Sequence, residues 1–277
     1  MRTDKENVPM PTQPNQLFIS TAPYYARYRP GYDPAMYEHL RLRFSLDGTQ
    51  RVLDLGTGTG TIALPLATLV GEVIAVDPEA GMLEEGRALA EAQRTDNVSW
   101  LLGDSTTLPA MNIGPVLLTV MGASFHWTDR HQTLRDLETL IEPAGAVVLA
   151  SGGAPGDIEP APWTDVIAEV RTRYLGPGRR AGSGTYQHPA ERHQDVLAQS
   201  TFRHLEIHTW DRTVTRTLDE VIGLQFSYSY SSPAQLGPDK AAFEADLRDA
   251  LIKYSPTGLF DELVRTEVII GSRTQTR

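Results

Sequence analysis

Val52-Leu53-Asp54-Leu55-Gly56-Thr57-Gly58-Thr59-Gly60 decides the fold. Its apolar half is too short for a helix, and it runs straight into alternating glycines. That pattern reads as a buried strand, Arg51 to Leu55, turning into a loop. Thr61 to Val70 then has helical spacing. A strand, a glycine loop and a helix in succession mark the carboxyl end of a strand in an open α/β sheet, where ligands bind. Glycine lets the backbone approach a ligand, and a helix N-terminus offers free N–H groups to an anion. The next strand, Glu72 to Val76, is followed by Asp77, 17 residues past Gly60. An acidic side chain there can accept hydrogen bonds from two ribose hydroxyls, so the expected ligand is a ribonucleoside.

The dinucleotide fingerprint G-x-G-x-x-G does not fit well. Counted from Gly56 and Gly58, the third position holds Thr61; counted from Gly58 and Gly60, it holds Ala63, which survives only as the looser variant ending in Ala. The loop is better written G-x-G-x-G. No G-x-x-x-x-G-K-[ST] occurs, which excludes a standard P-loop.

Outward from this stretch, strands and helices alternate. Pro34 to Phe44 reads as a helix, as do Pro78 to Gln93 and Asp129 to Glu142. Val98 to Leu102, Val116 to Met121 and Ala146 to Ala150 read as strands. Near-continuous apolar strands separated by helices imply right-handed βαβ units and a parallel sheet covered on both faces. After Gly153 the pattern changes. Pro162 to Tyr174 is helical, and Gly176 to Pro189 is a loop rich in Gly and Arg. Arg203 to Thr217 is strand-like, Leu218 to Tyr230 and Asp239 to Tyr254 are helical, and Val264 to Ser272 is a last strand. The last two strands are expected to join the same sheet, with the two helices between them as a cap.

Composition narrows the function. The chain has 277 residues, 35 acidic and 25 basic, for a formal charge of −10, which disfavours nonspecific nucleic-acid binding. It contains no cysteine, which excludes disulfides, zinc-thiolate sites and a cysteine nucleophile and fits a reducing, cytoplasmic setting. No apolar run reaches the ~18 residues that span a bilayer. The polar, proline-bearing N-terminus has no secretory core. The expected partner is a small molecule, with neither nucleic acid nor membrane. The sequence fixes no oligomeric state.

The run VLDLGTGTG, then VDPEAGML, GDSTTLP, ASFHW and LIEPAGAVVL, resembles the class I S-adenosylmethionine (SAM)-dependent methyltransferases, in particular their type 11 small-molecule branch. The resemblance covers about residues 24 to 151. It implies an α/β, Rossmann-like, seven-stranded, mostly parallel sheet with helices on both faces and a helical cap. Residues 1–20 would be a flexible tail, 21–152 the SAM-binding core, and 153–277 the completion of the sheet plus the cap, all in one continuous domain. SAM is the cofactor it implies. Gly56, Thr57, Gly58 and Gly60 would pack against its methionine part, with Asp54 at its ammonium. Asp77 and Pro78 would meet the ribose. Asp104, Ser105 and Met82 would meet the adenine, and Gly122 and Ala123, with Ser124, the sulfonium side. Tyr24 to Tyr32 is similar to the Y-x-x-Y-R-P-x-Y-P element before the core in this branch, including trans-aconitate-methyltransferase-like enzymes; Asp33 interrupts its final Tyr-Pro. Tyr25 and Arg29 would sit over the SAM end of the cleft.

The implied activity is methyl transfer to O, N or C of a small molecule, in specialised metabolism, by in-line displacement. Two alternatives stay open: a SAM-binding protein with a non-methylating reaction such as cyclisation, and a non-catalytic SAM-binding partner. His126, in Ser124-Phe125-His126-Trp127, is the candidate base or positioning residue. Tyr186, Phe226 and Tyr230 are the candidate substrate lining, with Tyr228 beside them. Arg171, Arg173, Arg179 and Arg180 form either an acidic-substrate lure or a solvated face. His204, Glu206 and His208 share one strand face, but no metal motif is recognised and no metal is expected.

Overall fold

The structure, a computed structural model, describes residues 20–153, 157, 159–178, 191–273 and the backbone of 180–181 and 184–185. The N-terminal tail (1–19) and Tyr186 lie outside the described residues. Seven strands build one sheet: β1 (Arg51–Leu55), β2 (Glu72–Asp77), β3 (Val98–Leu102), β4 (Val116–Gly122), β5 (Ile141–Gly153), β6 (His204–Thr217) and β7 (Leu259–Ser272). Their order is β3-β2-β1-β4-β5-β7-β6. The first five run parallel, and β7 lies antiparallel between β5 and β6. The order reverses between β1 and β4, so the crevice beyond their carboxyl ends is the topological switch point.

Alternate strand residues feed two cores, as the two-residue period of a doubly covered sheet requires. Val52, Val73, Leu118, Val148 and Val268 face α2 (Pro34–Phe44) and α3 (Ala63–Ala67). Leu53, Ile74, Met121, Leu149 and Ile269 face α5 (Arg130–Leu140) and α7 (His193–Ala198). A third core joins α6 (Trp163–Leu175), α8 (Leu218–Phe226) and α10 (Lys240–Tyr254) around Phe226, Phe243 and Phe260. That is the cap. The other helices are α1 (Ala22–Tyr28), α4 (Ala80–Gln93) and α9 (Pro233–Leu236).

Several element bounds differ from the sequence reading. The helix expected over 61–70 is only α3, because the glycine loop runs on as turns through Ile62. The strand expected from Ala146 begins at Ile141, which pairs with Val116 across a register shift; α5 therefore stops at Leu140. The helix expected over Leu218–Tyr230 ends at Phe226 and gives way to the single turn Ser229–Ser231. Helices α1, α7 and α9 are additional.

Two glycines explain close approaches. Gly60 has φ +82°, and a Cβ there would lie 2.6 Å from the Trp100 ring, which also fills the space beside Gly86. Gly223 on α8 lies against the Tyr28 ring, so α1 docks flush on the cap helix. Gly223→Ala would gain about 1 kcal/mol of helix propensity but drive a methyl into that ring, an overpacking worth about 1–3 kcal/mol. We expect a net loss of stability in urea unfolding; a stabilised variant would contradict this packing.

Candidate functional site

The glycine loop is held by the strand beside it. The Gly56 and Thr57 N–H groups both donate to the Val76 carbonyl, at 2.8 and 3.0 Å. Gly56 (φ +76°) abuts Ser124, whose hydroxyl donates to the Leu55 carbonyl at 2.6 Å. Gly60 is closed by Trp100. Gly58 (φ +57°) is the roomier position: a Cβ there would lie 3.7 Å from the Tyr25 ring. The three glycines are thus divided between packing and access.

Asp77 closes the loop from β2. Its two carboxylate oxygens accept separately, Oδ2 from the Gly58 N–H at 2.8 Å and Oδ1 from the Glu79 N–H at 2.9 Å. An ionised carboxylate has about four acceptor positions, so each oxygen keeps one. Burial raises the Asp77 pKa against those two hydrogen bonds. Asp54 is buried under the loop, accepting from the Thr57 hydroxyl at 2.7 Å. Burial, aided by the Asp77 charge, pushes it up to about 7 against the Thr57 and Ala63 hydrogen bonds. Glu79, at the start of α4, is also pushed to about 7, by burial and then by Asp77. Its Oε1 is shut off from solvent and has no hydrogen-bond partner among the described residues. The sequence reading missed Glu79, although it stands two residues after Asp77 in VDPEAGML.

The N-terminal element roofs this end. Tyr25 lies over Gly58, and the Arg29 guanidinium sits 4.9 Å from the Tyr25 ring centroid and 4.2 Å from that of Tyr228, donating to the Ser227 carbonyl. Asp33, which interrupts the Tyr-Pro pattern, caps α2 by accepting from the Ala35 N–H at 2.9 Å and leaves Pro34 in the first turn. Tyr32 turns into the cleft, its hydroxyl 2.9 Å from where a Cβ on Gly122 would lie, and burial raises its pKa well above the usual value. Ala123 follows at φ +54°, a left-handed backbone uncommon outside glycine, held by its N–H bond to the Ala150 carbonyl.

Other expected site residues fall differently. Pro78 lies between Asp77 and Glu79, half-buried, and Met82 is buried in the first turn of α4. Asp104 Oδ1 is spent on its own turn, accepting from the Thr106 and Thr107 N–H groups; those bonds outweigh burial and leave its pKa low. Ser105 beside it is buried. His126 is in a short helical turn, its ring 4.7 Å from Trp127 and 6.3 Å from His193. Phe226 does not line the cleft: it is 2% exposed and packs on Tyr24 and Phe243, because its position on α8 faces the cap's own core. Tyr230 stays half-buried and stacks on Tyr228 at 5.0 Å. Glu206 and His208 meet His39 of α2, with possible ligand atoms within 4.8 Å of one another, away from the cleft; Arg43 holds Glu206 through two nitrogens.

The described site fits a cationic nucleoside. The roomy glycine, the two spare acceptor positions of Asp77 and the orphaned Glu79 oxygen all lie at one end of the crevice. Three carboxyl groups there repel a pyrophosphate and suit a positive charge.

Comparison with known proteins agrees. Residues 52–145 match the model of a methyltransferase domain. The chain is 26% identical over 153 residues to an uncharacterised methyltransferase of Schizosaccharomyces pombe, covering 55% of this chain and 57% of that one. It is 27% identical over 221 residues to the uncharacterised methyltransferase Rv3342 of Mycobacterium tuberculosis, covering 79% and 80%. The chain spans about half the length of the first curated relatives it matches. In fold it is similar to a protein assigned as a type II methyltransferase from Anaeromyxobacter dehalogenans, with TM-score 0.57 at 18% identity over 89% of this chain and 98% of that one. Residues 52–145, which carry the G-x-G-x-G loop answered by Asp77, thus match a methyltransferase domain, and the chain is similar in fold to a methyltransferase-like structure.

Proposed function

We propose that the protein transfers a methyl group from SAM to O, N or C of a small molecule, in specialised metabolism in the cytoplasm. The carrying observation is the gathering of Asp54, Asp77 and Glu79 around the glycine loop, with two of them pushed to about 7. A dianionic dinucleotide would meet repulsion there, whereas SAM carries a sulfonium and an ammonium. Gly56, Thr57, Gly58 and Gly60 would hold the methionine end, with Asp54 at its ammonium. Asp77, Pro78 and Glu79 would hold the ribose; Met82, Asp104 and Ser105 the adenine. Gly122 and Ala123 would border the sulfonium, roofed by Tyr25 and Arg29.

SAM supplies a methyl carbon already activated for displacement. The protein's part is alignment and exclusion of water. Tyr25, over Gly58, and Tyr32, beside Gly122, would shield the crevice from the N-terminal side. A base is needed only where the acceptor must lose a proton; His126 is the proposed base or positioning group, beside the carboxyl end of β4.

The test is thermal unfolding with SAM, S-adenosylhomocysteine and NAD in parallel. A ligand at ~100 times its Kd adds about 2.7 kcal/mol, which moves the melting point of a chain this size by a few degrees, roughly 4–10 °C. We expect shifts with the first two alone; a shift with NAD alone would overturn the proposal. A product heavier by one methylene, with release of S-adenosylhomocysteine, separates methyl transfer from a non-methylating reaction.

A further inference from the structure

His39 on α2 meets Glu206 and His208 on the edge strand β6. One ring nitrogen of each histidine and one Glu206 oxygen lie within 4.8 Å of one another. Glu206 and His208 share a strand face through the two-residue period. The third donor comes from a distant helix packed against them, so no local spacing announces it. Among the described residues this is the one group of three histidine and carboxylate side chains so arranged.

The two imidazoles lack what buried imidazoles need. Nε2 of His39 and Nε2 of His208 are both shut off from solvent, and neither has a hydrogen-bond partner among the described residues. The rings stand 4.0 Å apart, tilted by 45°, while His208 stacks on Trp210 at 6.0 Å. A ring nitrogen is a donor or an acceptor, and leaving it buried and unpaired is costly. Glu206 has room for a further bond. Its Oε1 accepts from Arg43 Nε and Nη2 at 2.9 and 2.7 Å, whereas Oε2 accepts from Nε alone at 3.1 Å. A carboxylate offers about four acceptor positions, so Oε2 keeps one. Ligating carboxylates are ordinarily oriented by such outer hydrogen bonds. Arg43 also offsets the Glu206 charge, so an ion here would be held through the imidazoles and not by charge alone.

We infer that His39, Glu206 and His208 form a binding site for a zinc-type divalent cation, which pins α2 to the edge of the sheet. Two imidazoles and a carboxylate, with water in the fourth position, are a known zinc ligand set. Imidazole donors favour zinc over magnesium and calcium, which take oxygen ligands. Donors ~2 Å from one tetrahedral ion stand about 3.3 Å apart, so these three need to close by at most about 1.5 Å, within reach of side-chain rotation. The clamp acts where the N-terminal element joins the sheet. The Asp33 N–H, at the start of α2, donates to the Thr266 hydroxyl of β7, and Arg212 of β6 donates to the Gly31 carbonyl. The site stands apart from the crevice, so the inference does not rest on the methyltransferase reading.

The experiment titrates zinc chloride into the chelator-treated full chain, in competition with a chromogenic chelator. The chain has no cysteine, so no thiolate competes for the ion. One ion per chain is expected, with affinity weakened at least about 10- to 100-fold in His39→Gln and in His208→Gln; loss of an outer-shell partner alone costs that much. His131→Gln is the control, because His131 is an exposed histidine beside Glu191 and mimics a surface site. It should bind as wild type does. Zinc at ~100 times its Kd should raise the wild-type melting temperature by roughly 4–10 °C, and magnesium should not. Metal-free His39→Gln should melt close to wild type and gain little from zinc. Cobalt gives a readout without mutation: the wild-type chain should show the intense visible bands of a four-coordinate ion. No zinc binding by the wild-type chain, unchanged affinity in His39→Gln, loss of binding in His131→Gln, an equal response to magnesium, or the weak spectrum of six-coordinate cobalt would each overturn the assignment.

Discussion

Asp77→Ala is expected to lose SAM binding almost entirely while remaining folded. The side chain does two things. It ties the loop at Gly58 to the start of α4 at Glu79, and in the proposed site its remaining acceptor positions would receive the ligand. Each hydrogen bond to a charged group is worth about 1.5–3 kcal/mol. On the proposed ribose role, two hydroxyls would account for about 3–6 kcal/mol, or roughly 10²- to 10⁴-fold in affinity. The effect on folding is smaller and opposed. The variant frees two backbone N–H groups, but it also removes a buried acid that repels Asp54 and Glu79. Calorimetric titration with S-adenosylhomocysteine, beside a urea melt, measures both. Asp77→Asn is the sharper comparison, because an amide keeps one acceptor and loses the charge; it should fall between wild type and alanine. Wild-type affinity in Asp77→Ala would remove the ribose role and leave Asp77 a purely structural anchor.

The legible part of the molecule was the part written in short-range pattern. β1 matches its expected bounds because a five-residue apolar run ended by glycines has one reading. The bounds of β7 were not legible, since Leu259–Leu263 is recruited to the ladder by pairing with Thr217–Thr213, a contact between distant segments. The same limit applies in the site. Asp77 declared itself by spacing, but Glu79 resembles any surface acid of an early helical turn until its oxygen is seen to be buried. Phe226 and Tyr230 are equally aromatic in sequence; the end of α8 at Phe226 puts one ring in the cap core and leaves the other half-exposed. Asp33 read as an interruption of the N-terminal pattern, and it proves to be the cap of α2. Arg171 and Arg173 are two residues apart, too far round a helix to share a face, so one is buried and the other solvated.

The pH dependence follows from Asp54. Its pKa is about 7 in the fold against an ordinary 3.8, because burial disfavours the charge and Asp77 adds repulsion. The folded protein therefore keeps a proton that the unfolded chain has released. The stability linked to that proton is fully present below about pH 4 and is lost as pH rises through about 7. Three pKa units set an upper limit of about 4 kcal/mol. Glu79 shifts in the same direction, so Asp54→Asn should flatten much of the fall between pH 4 and 7, and Asp54→Asn with Glu79→Gln should flatten more. Ligand binding carries the opposite sign. An ammonium group pairs with the ionised carboxylate, so affinity for S-adenosylhomocysteine should weaken by up to about tenfold for each pH unit below 7. Binding near neutrality should release a proton, visible as a calorimetric enthalpy that changes with the buffer's heat of ionisation. In Asp54→Asn that release should shrink to the contribution of Glu79. Unchanged proton release in the asparagine variant would mean that Asp54, bonded to Thr57 and Ala63, only pins the loop from below and that another group meets the ammonium.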